Sequence, residues 1–246
     1  MIASAMQNGA ITLQYADLLR KIQSSTFGAE LADLQKVQTV LSMQDELGLA
    51  NLGTGRVVYV ASGIDWEFPV ALGARDIDMV DLSFEKTRSG NAKRDLLKSV
   101  READPKATVS KNGDISFGID LGGEGCENID LHMIALDADS YTPTVPVQGV
   151  IEYNAPHSTN KELVRGNILP SLSPGASVFN FDFYEDYSPD GAVKKPMSQS
   201  THYYKVEDPD RFKASLDAKP RLEEPNYNVK EIRAKLRDLK RADGET

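Results

Sequence analysis

The sequence predicts an α/β fold: a doubly wound, mostly parallel sheet with N-terminal helices and one inserted β-hairpin. Three observations carry that prediction. Short apolar runs rich in β-branched residues alternate with segments of helical period, the order expected of parallel β-α-β units. The first run leads into a glycine turn and the second closes on an acid. A period-two stretch in the middle of the chain follows an Asn-Gly pair, a hairpin signal.

The elements follow in order. Over 11–48, Leu13, Ala16 and Leu19, then Leu31, Leu34, Val37 and Leu41, recur at three-to-four spacing and predict helices broken near Phe27-Gly28. Arg56 to Ala61 is a continuous apolar run, which suits a strand buried on both faces. The turn Ser62-Gly63-Ile64-Asp65-Trp66 comes next, then a short helical stretch to Leu72, then a second strand over Ile77–Asp81. Residues 85–103 read as a helix with Leu96, Leu97 and Val100 facing inward.

Ile115, Phe117, Ile119 and Leu121 alternate with polar or small residues after Lys111-Asn112-Gly113-Asp114. Further strands are expected over Ile129–Leu136, Val147–Tyr153 and Ser177–Tyr184, with Pro174-Gly175 as a turn. Ser158 or Thr159 is placed to N-cap a helix running to about Leu169. The polar stretch 186–200 reads as loop, and Thr201–Val206 as an antiparallel edge strand. A charged tail ends in a helix near 228–241. The resulting organisation is a helical segment, 1–55, a Rossmann-like domain, 56–206, and the tail, 207–246.

A net charge of −9 argues against general binding to nucleic acid or anionic membrane. The one cysteine, Cys126, excludes an internal disulfide, and with only His132, His157 and His202 as histidines no metal site is expected. Met1–Ala10 lacks a basic start followed by a long apolar run, so no secretory signal is expected. No run approaches about eighteen apolar residues, so no membrane span is expected and a cytoplasmic location is the default. Homo-oligomerisation stays open.

The layout over about 56–185 resembles the class I methyltransferases that use S-adenosylmethionine. The residues that carry the likeness are Val57–Ala61 with Ser62-Gly63-Ile64-Asp65, then Asp81 after the second strand, then Ile134-Ala135-Leu136-Asp137-Ala138, and the Pro174-Gly175 turn. The resemblance implies a small-molecule cofactor, S-adenosylmethionine, and a methyl acceptor that it does not name. It departs from the family at the first turn, which has one glycine where the family has two or three.

Ligands of open α/β sheets bind beyond the C-terminal strand ends. The cofactor-binding candidates are therefore Ser62 and Gly63, with Asp65 for the methionyl ammonium, Asp81 for the ribose hydroxyls and Asp137 for the adenine amino group. Asp65 is equally placed to N-cap the following helix, and Asp81 to be a solvated loop acid. Trp66 reads either as a ligand stack or as helix–sheet packing. Asn154-Ala155-Pro156-His157, after the presumed fourth strand, supplies the catalytic candidates. The resemblance has Asn154 accepting a proton from a target nitrogen, and His157 is a candidate general base. Two other classes remain beside the enzyme: a catalytically degenerate binding or scaffold domain, and another Rossmann-type enzyme using a nucleotide cofactor. No G-x-G-x-x-G or G-x-x-x-x-G-K-[ST] occurs to support the last.

Overall fold

The computed structural model describes residues 49–60, 62–85, 91–121, 126–136, 140–152, 167–180, 190–198 and 201–217. The chain divides into two compact units, Met1–Leu216 and Asp217–Thr246, and the described residues lie in the first apart from Asp217. The helices read over 11–48, the start of the helix at 158–159, the tail helix, and Asp137, Asn154 and His157 lie outside the described residues.

The described strands form one sheet. They are β1 (Arg56–Val60), β2 (Asp76–Val80), β3 (Thr108–Val109), β4 (Ile115–Asp120), β5 (Cys126–Ile134), β6 (Val147–Glu152), β7 (Leu172–Asn180), β8 (Ala192–Ser198) and β9 (Thr201–Val206). Their order is β3-β4-β5-β2-β1-β6-β7-β9-β8. Within it β5, β2, β1, β6 and β7 run parallel, and β3, β4 and β9 are antiparallel to their inner neighbours. Numbered along the chain, the parallel strands stand 3-2-1-4-5, the Rossmann order, so the winding direction reverses between β1 and β6. The fold is α/β and Rossmann-like, as the sequence predicts.

Both faces of the parallel strands are covered, which is why β1 reads as an unbroken apolar run. Val57 and Tyr59 pack on one face with Leu52, Ile77, Met79, Leu96 and Val100. Val58 and Val60 pack on the other with Val80, Val150, Val178 and Phe212. Helices α1 (Glu67–Ala71) and α2 (Ala92–Ala103) supply buried side chains to the first face. The turn closing β3 onto β4 has Gly113 at φ +96°, the left-handed geometry that an Asn-Gly pair provides.

The sequence reading needs several corrections. The helix read over 85–103 is, in its described part, α2; Glu85 follows a 3₁₀ turn at Leu82–Phe84, and residues 86–90 lie outside the described residues. The stretch 186–200 is not all loop, because β8 runs through it and lies at the sheet edge. An edge strand tolerates Pro196, and Lys194 and Lys195 discourage further strand pairing, so its sequence looks like loop. β9 is consequently interior, between β7 and β8. Pro174-Gly175 lies inside β7, where the register on β6 jumps between Leu172 and Ser177, with Gly175 at φ +79° absorbing the bend. The start of the tail also folds: α3 (Pro209–Asp217) begins where Asp208 accepts the Arg211 N–H at 3.0 Å, and it buries Phe212 against Tyr204.

Candidate functional site

Sheets wound this way take their ligands in the crevice beyond the C-terminal strand ends at the reversal of strand order, which here falls between β1 and β6. β1 runs into this crevice through Ser62–Trp66. Two short backbone bonds close the turn, Asp65 N–H to Ser62 carbonyl at 3.1 Å and Trp66 N–H to Ile64 carbonyl at 2.9 Å. Gly63 takes φ +51°, and a Cβ built on it would meet nothing within 4 Å, so the backbone there borders open space. Ser62 is buried, with its hydroxyl 3.4 Å from the Gly63 carbonyl.

β2 reaches the same place through Asp81. Its N–H extends the parallel pairing by donating to the Ile134 carbonyl at 3.1 Å. Its carboxylate is shared between neighbours: Oδ2 accepts the Gly63 N–H at 2.8 Å and Oδ1 accepts the Ser83 N–H at 2.7 Å. Asp81 thus N-caps the 3₁₀ turn and ties the end of β2 to the turn after β1. It is a loop acid with defined partners, and each oxygen keeps a lone pair for a further donor. The Gly63 N–H is thus donated to Asp81.

Asp65 is half-buried, and its carboxylate has no hydrogen-bond or ion-pair partner among the described residues. Burial alone pushes its carboxyl up to about 6, because desolvation penalises the charged form. It does not cap the following helix. The N-cap of α1 is Trp66, which makes no side-chain capping bond. Trp66 itself is 1% exposed, set edge-on to Phe117 of β4 with ring centres 4.9 Å apart. Its Nε1–H donates to Ser99 Oγ on α2 at 3.0 Å, and that hydroxyl donates to Glu67. Packing, not ligand stacking, is therefore its use.

Two exposed apolar side chains border the strand ends: Ile64 in the turn, 38% exposed, and Leu136 just past β5, 44% exposed. Ser62, Gly63, Asp65 and Asp81 are brought together at the crevice. Asp137, Asn154 and His157 lie outside the described residues. No Lys or Arg occurs among the described residues 62–66, 81–85 and 135–136, so this part of the mouth is anionic.

A second cluster sits toward the N-terminal strand ends, away from the mouth, and sequence reading missed it. Arg56 on β1 donates to Asp76 at 2.9 Å and to Asp78 at 2.5 Å, both on β2. Asp78 is 2% exposed and also accepts the Tyr141 hydroxyl. Burial works against the charge on Arg56, but the Asp78 and Asp76 carboxylates outweigh it and raise its pKa. Burial, followed by the Asp78 carboxylate, pushes ionisation of Tyr141 far up. The signal was present: Arg56 opens one strand and Asp76-x-Asp78 opens its neighbour, one residue apart on the same face.

No family model and no curated protein matches the sequence. Among solved structures the chain is similar to a putative methyltransferase of Escherichia coli, at 9% identity and a TM-score of 0.43, over 70% of this chain and 87% of that one. It is similar to an S-adenosylmethionine-dependent methyltransferase of Clostridium acetobutylicum, at 11% identity and TM-score 0.41, over 82% and 85% of the two chains. A third is an RNA methyltransferase of Salinibacter ruber in complex with S-adenosyl-L-homocysteine, at 19% identity and TM-score 0.36, over 69% and 89%. At such identities and TM-scores these likenesses carry no weight for the chemistry, which rests on the geometry of the strand ends.

Proposed function

We propose that the chain is an S-adenosylmethionine-dependent methyltransferase whose cofactor sits across the C-terminal ends of β1 and β2. The observation that supports this most is the pair of carboxylates at the mouth. Asp81 is fixed by Gly63 and Ser83, and the half-buried Asp65 carboxylate has no partner among the described residues. Such a site suits a ligand that brings its own cation and hydroxyl donors. It disfavours a phosphate, because the Gly63 N–H is already committed to a carboxylate.

In this reading the remaining lone pairs of Asp81 accept the ribose hydroxyls, and Asp65 pairs with the methionyl ammonium. The open side of Gly63 lets backbone approach the ligand, and Ser62 holds the turn. Asp137 would accept the adenine amino group, and Ile64 and Leu136 offer apolar surface beside it. When bound, the cofactor supplies an electrophilic methyl group. Asn154 would orient the acceptor nitrogen by accepting its proton, or His157 would remove that proton as a general base.

Calorimetric titration tests the reading. S-adenosylmethionine and its demethylated product should bind the wild type, while NAD and ATP should not. Asp81→Ala should abolish binding, and Asp81→Asn, which keeps one carbonyl acceptor and the fold, should weaken it at least tenfold. Absence of binding to the wild type would overturn the proposal. Binding with no transfer to any acceptor would instead favour a degenerate binding or scaffold domain, the reading that the single glycine of the turn supports.

A further inference from the structure

Asp76, which pairs with Arg56, also stands 2.8 Å from Nε2 of His132, the β5 residue whose backbone lies opposite Asp78. The other ring nitrogen, Nδ1, is 3.1 Å from Oδ1 of Asp114. Asp114 closes the turn of the inserted hairpin. Its N–H donates to Ser110 Oγ at 3.1 Å, its carbonyl accepts the Ser110 N–H at 2.9 Å, and its Oδ2 accepts the Ser110 hydroxyl at 3.2 Å. One imidazole therefore stands between two carboxylates that belong to different parts of the sheet. One is on the parallel core and the other on the antiparallel insertion.

A neutral imidazole has a single N–H and can serve only one of them, whereas an imidazolium donates to both. We propose that His132 is a proton-operated clamp: charged, it pins the 110–114 turn to β2, and on losing its proton it releases that turn. The carboxylate released is Asp114. Asp76 makes the shorter contact with the ring and stays tied to Arg56, and the bare Nδ1 lone pair would then face an anionic oxygen. Asp114 keeps its bonds to Ser110, so the turn stays closed on itself and joined to the sheet through β4, while it loses its side-chain tie to His132.

The charges around the ring favour the protonated form. Asp76 and Asp78 face it from β2, Asp114 from the turn and Asp130 from β5, against Arg56 from β1. Lys111 in the turn is exposed, and Asp130 already accepts the Ser116 hydroxyl at 2.5 Å. The hydrogen bond to Asp76 is the largest influence holding the pKa of His132 above its ordinary value; burial and Arg56 oppose it. A clamp that opens as pH rises is the result, the reverse of the usual acid-triggered histidine switch.

Two-bond ¹H–¹⁵N correlation on the full-length labelled protein tests this, with His132 assigned by its loss in His132→Gln. Both ring nitrogens should show protonated shifts at pH 6.5, and the midpoint should lie above the ordinary histidine value. Asp114→Asn, in a turn that is largely exposed, should lower that midpoint by about one unit. Amide protection factors at Asn112, Gly113 and Asp114 should fall at least threefold as wild type passes through the midpoint. In Asp114→Asn they should be low and independent of pH. A neutral tautomer at pH 6.5, an unmoved midpoint in Asp114→Asn, or turn protection that ignores the midpoint would each overturn the clamp.

Discussion

Replacing Asp65 by asparagine should make the protein more stable at neutral pH and less able to bind its ligand. Burial raises the Asp65 carboxyl from an ordinary 3.8 to about 6 in the folded chain. Between those values the native state holds more protons than the unfolded state, so stability falls as pH rises through that window. Above about pH 6 the loss is complete, because the folded chain then carries a partly desolvated charge. A shift of about two units would correspond to roughly 3 kcal/mol if the group were sealed from water. Solvent on the open side of the turn screens it, and roughly 1–2 kcal/mol is the expected cost. Asparagine keeps the shape and removes the charge. Urea denaturation at pH 7.5 should therefore favour Asp65→Asn by roughly 1–2 kcal/mol, or about 2–8 °C in Tm for a domain of this size. At pH 4 the two proteins should nearly coincide. A cation paired with Asp65 removes the same cost, so affinity for S-adenosylmethionine should rise with pH through 6 in wild type only. A variant no more stable than wild type at pH 7.5 would refute the reasoning.

Arg56→Ala should cost about 3–5 kcal/mol in denaturant titration, because among the described residues it leaves the buried Asp78 carboxylate with only the Tyr141 hydroxyl. A loss below about 1 kcal/mol would mean that water reaches Asp78. Trp66→Phe should cost about 1–2 kcal/mol, since it keeps an aromatic ring beside Phe117 and gives up the donation to Ser99. Trp66→Ala should cost about 3–5 kcal/mol. Equal losses for the two variants would place the value of Trp66 in its N–H instead of its ring.

The parallel core was legible because burial on both faces leaves a mark in the sequence. Val57, Val58, Tyr59 and Val60 cannot be polar at any position when successive side chains enter opposite cores. The inserted hairpin was legible for a different reason: Gly113 must take a left-handed conformation, and the Asn-Gly pair announces it. β8 was hidden because an edge strand is under neither constraint. Its outer side pairs with no described strand, so lysines and a proline serve there as well as in a loop. The helix α3 was hidden by its charged surroundings, although Asp208-Pro209 is a start signal for a helix.

The site was legible in part, and the difference lies between position and partnership. Chain order alone places Gly63 and Asp81 at neighbouring strand ends, because adjacent parallel strands end at the same edge of the sheet. What chain order cannot supply is which groups spend their hydrogen bonds on each other. The Gly63 N–H could face a ligand or Asp81, and it is bonded to Asp81. That bond changes the chemistry of the turn. A free N–H at the end of β1 would select an anion, whereas a carboxylate held across it selects a donor or a cation. Asp65 pushes the same way, since a half-buried carboxyl, here without a partner among the described residues, is relieved by a positive ligand and aggravated by a negative one.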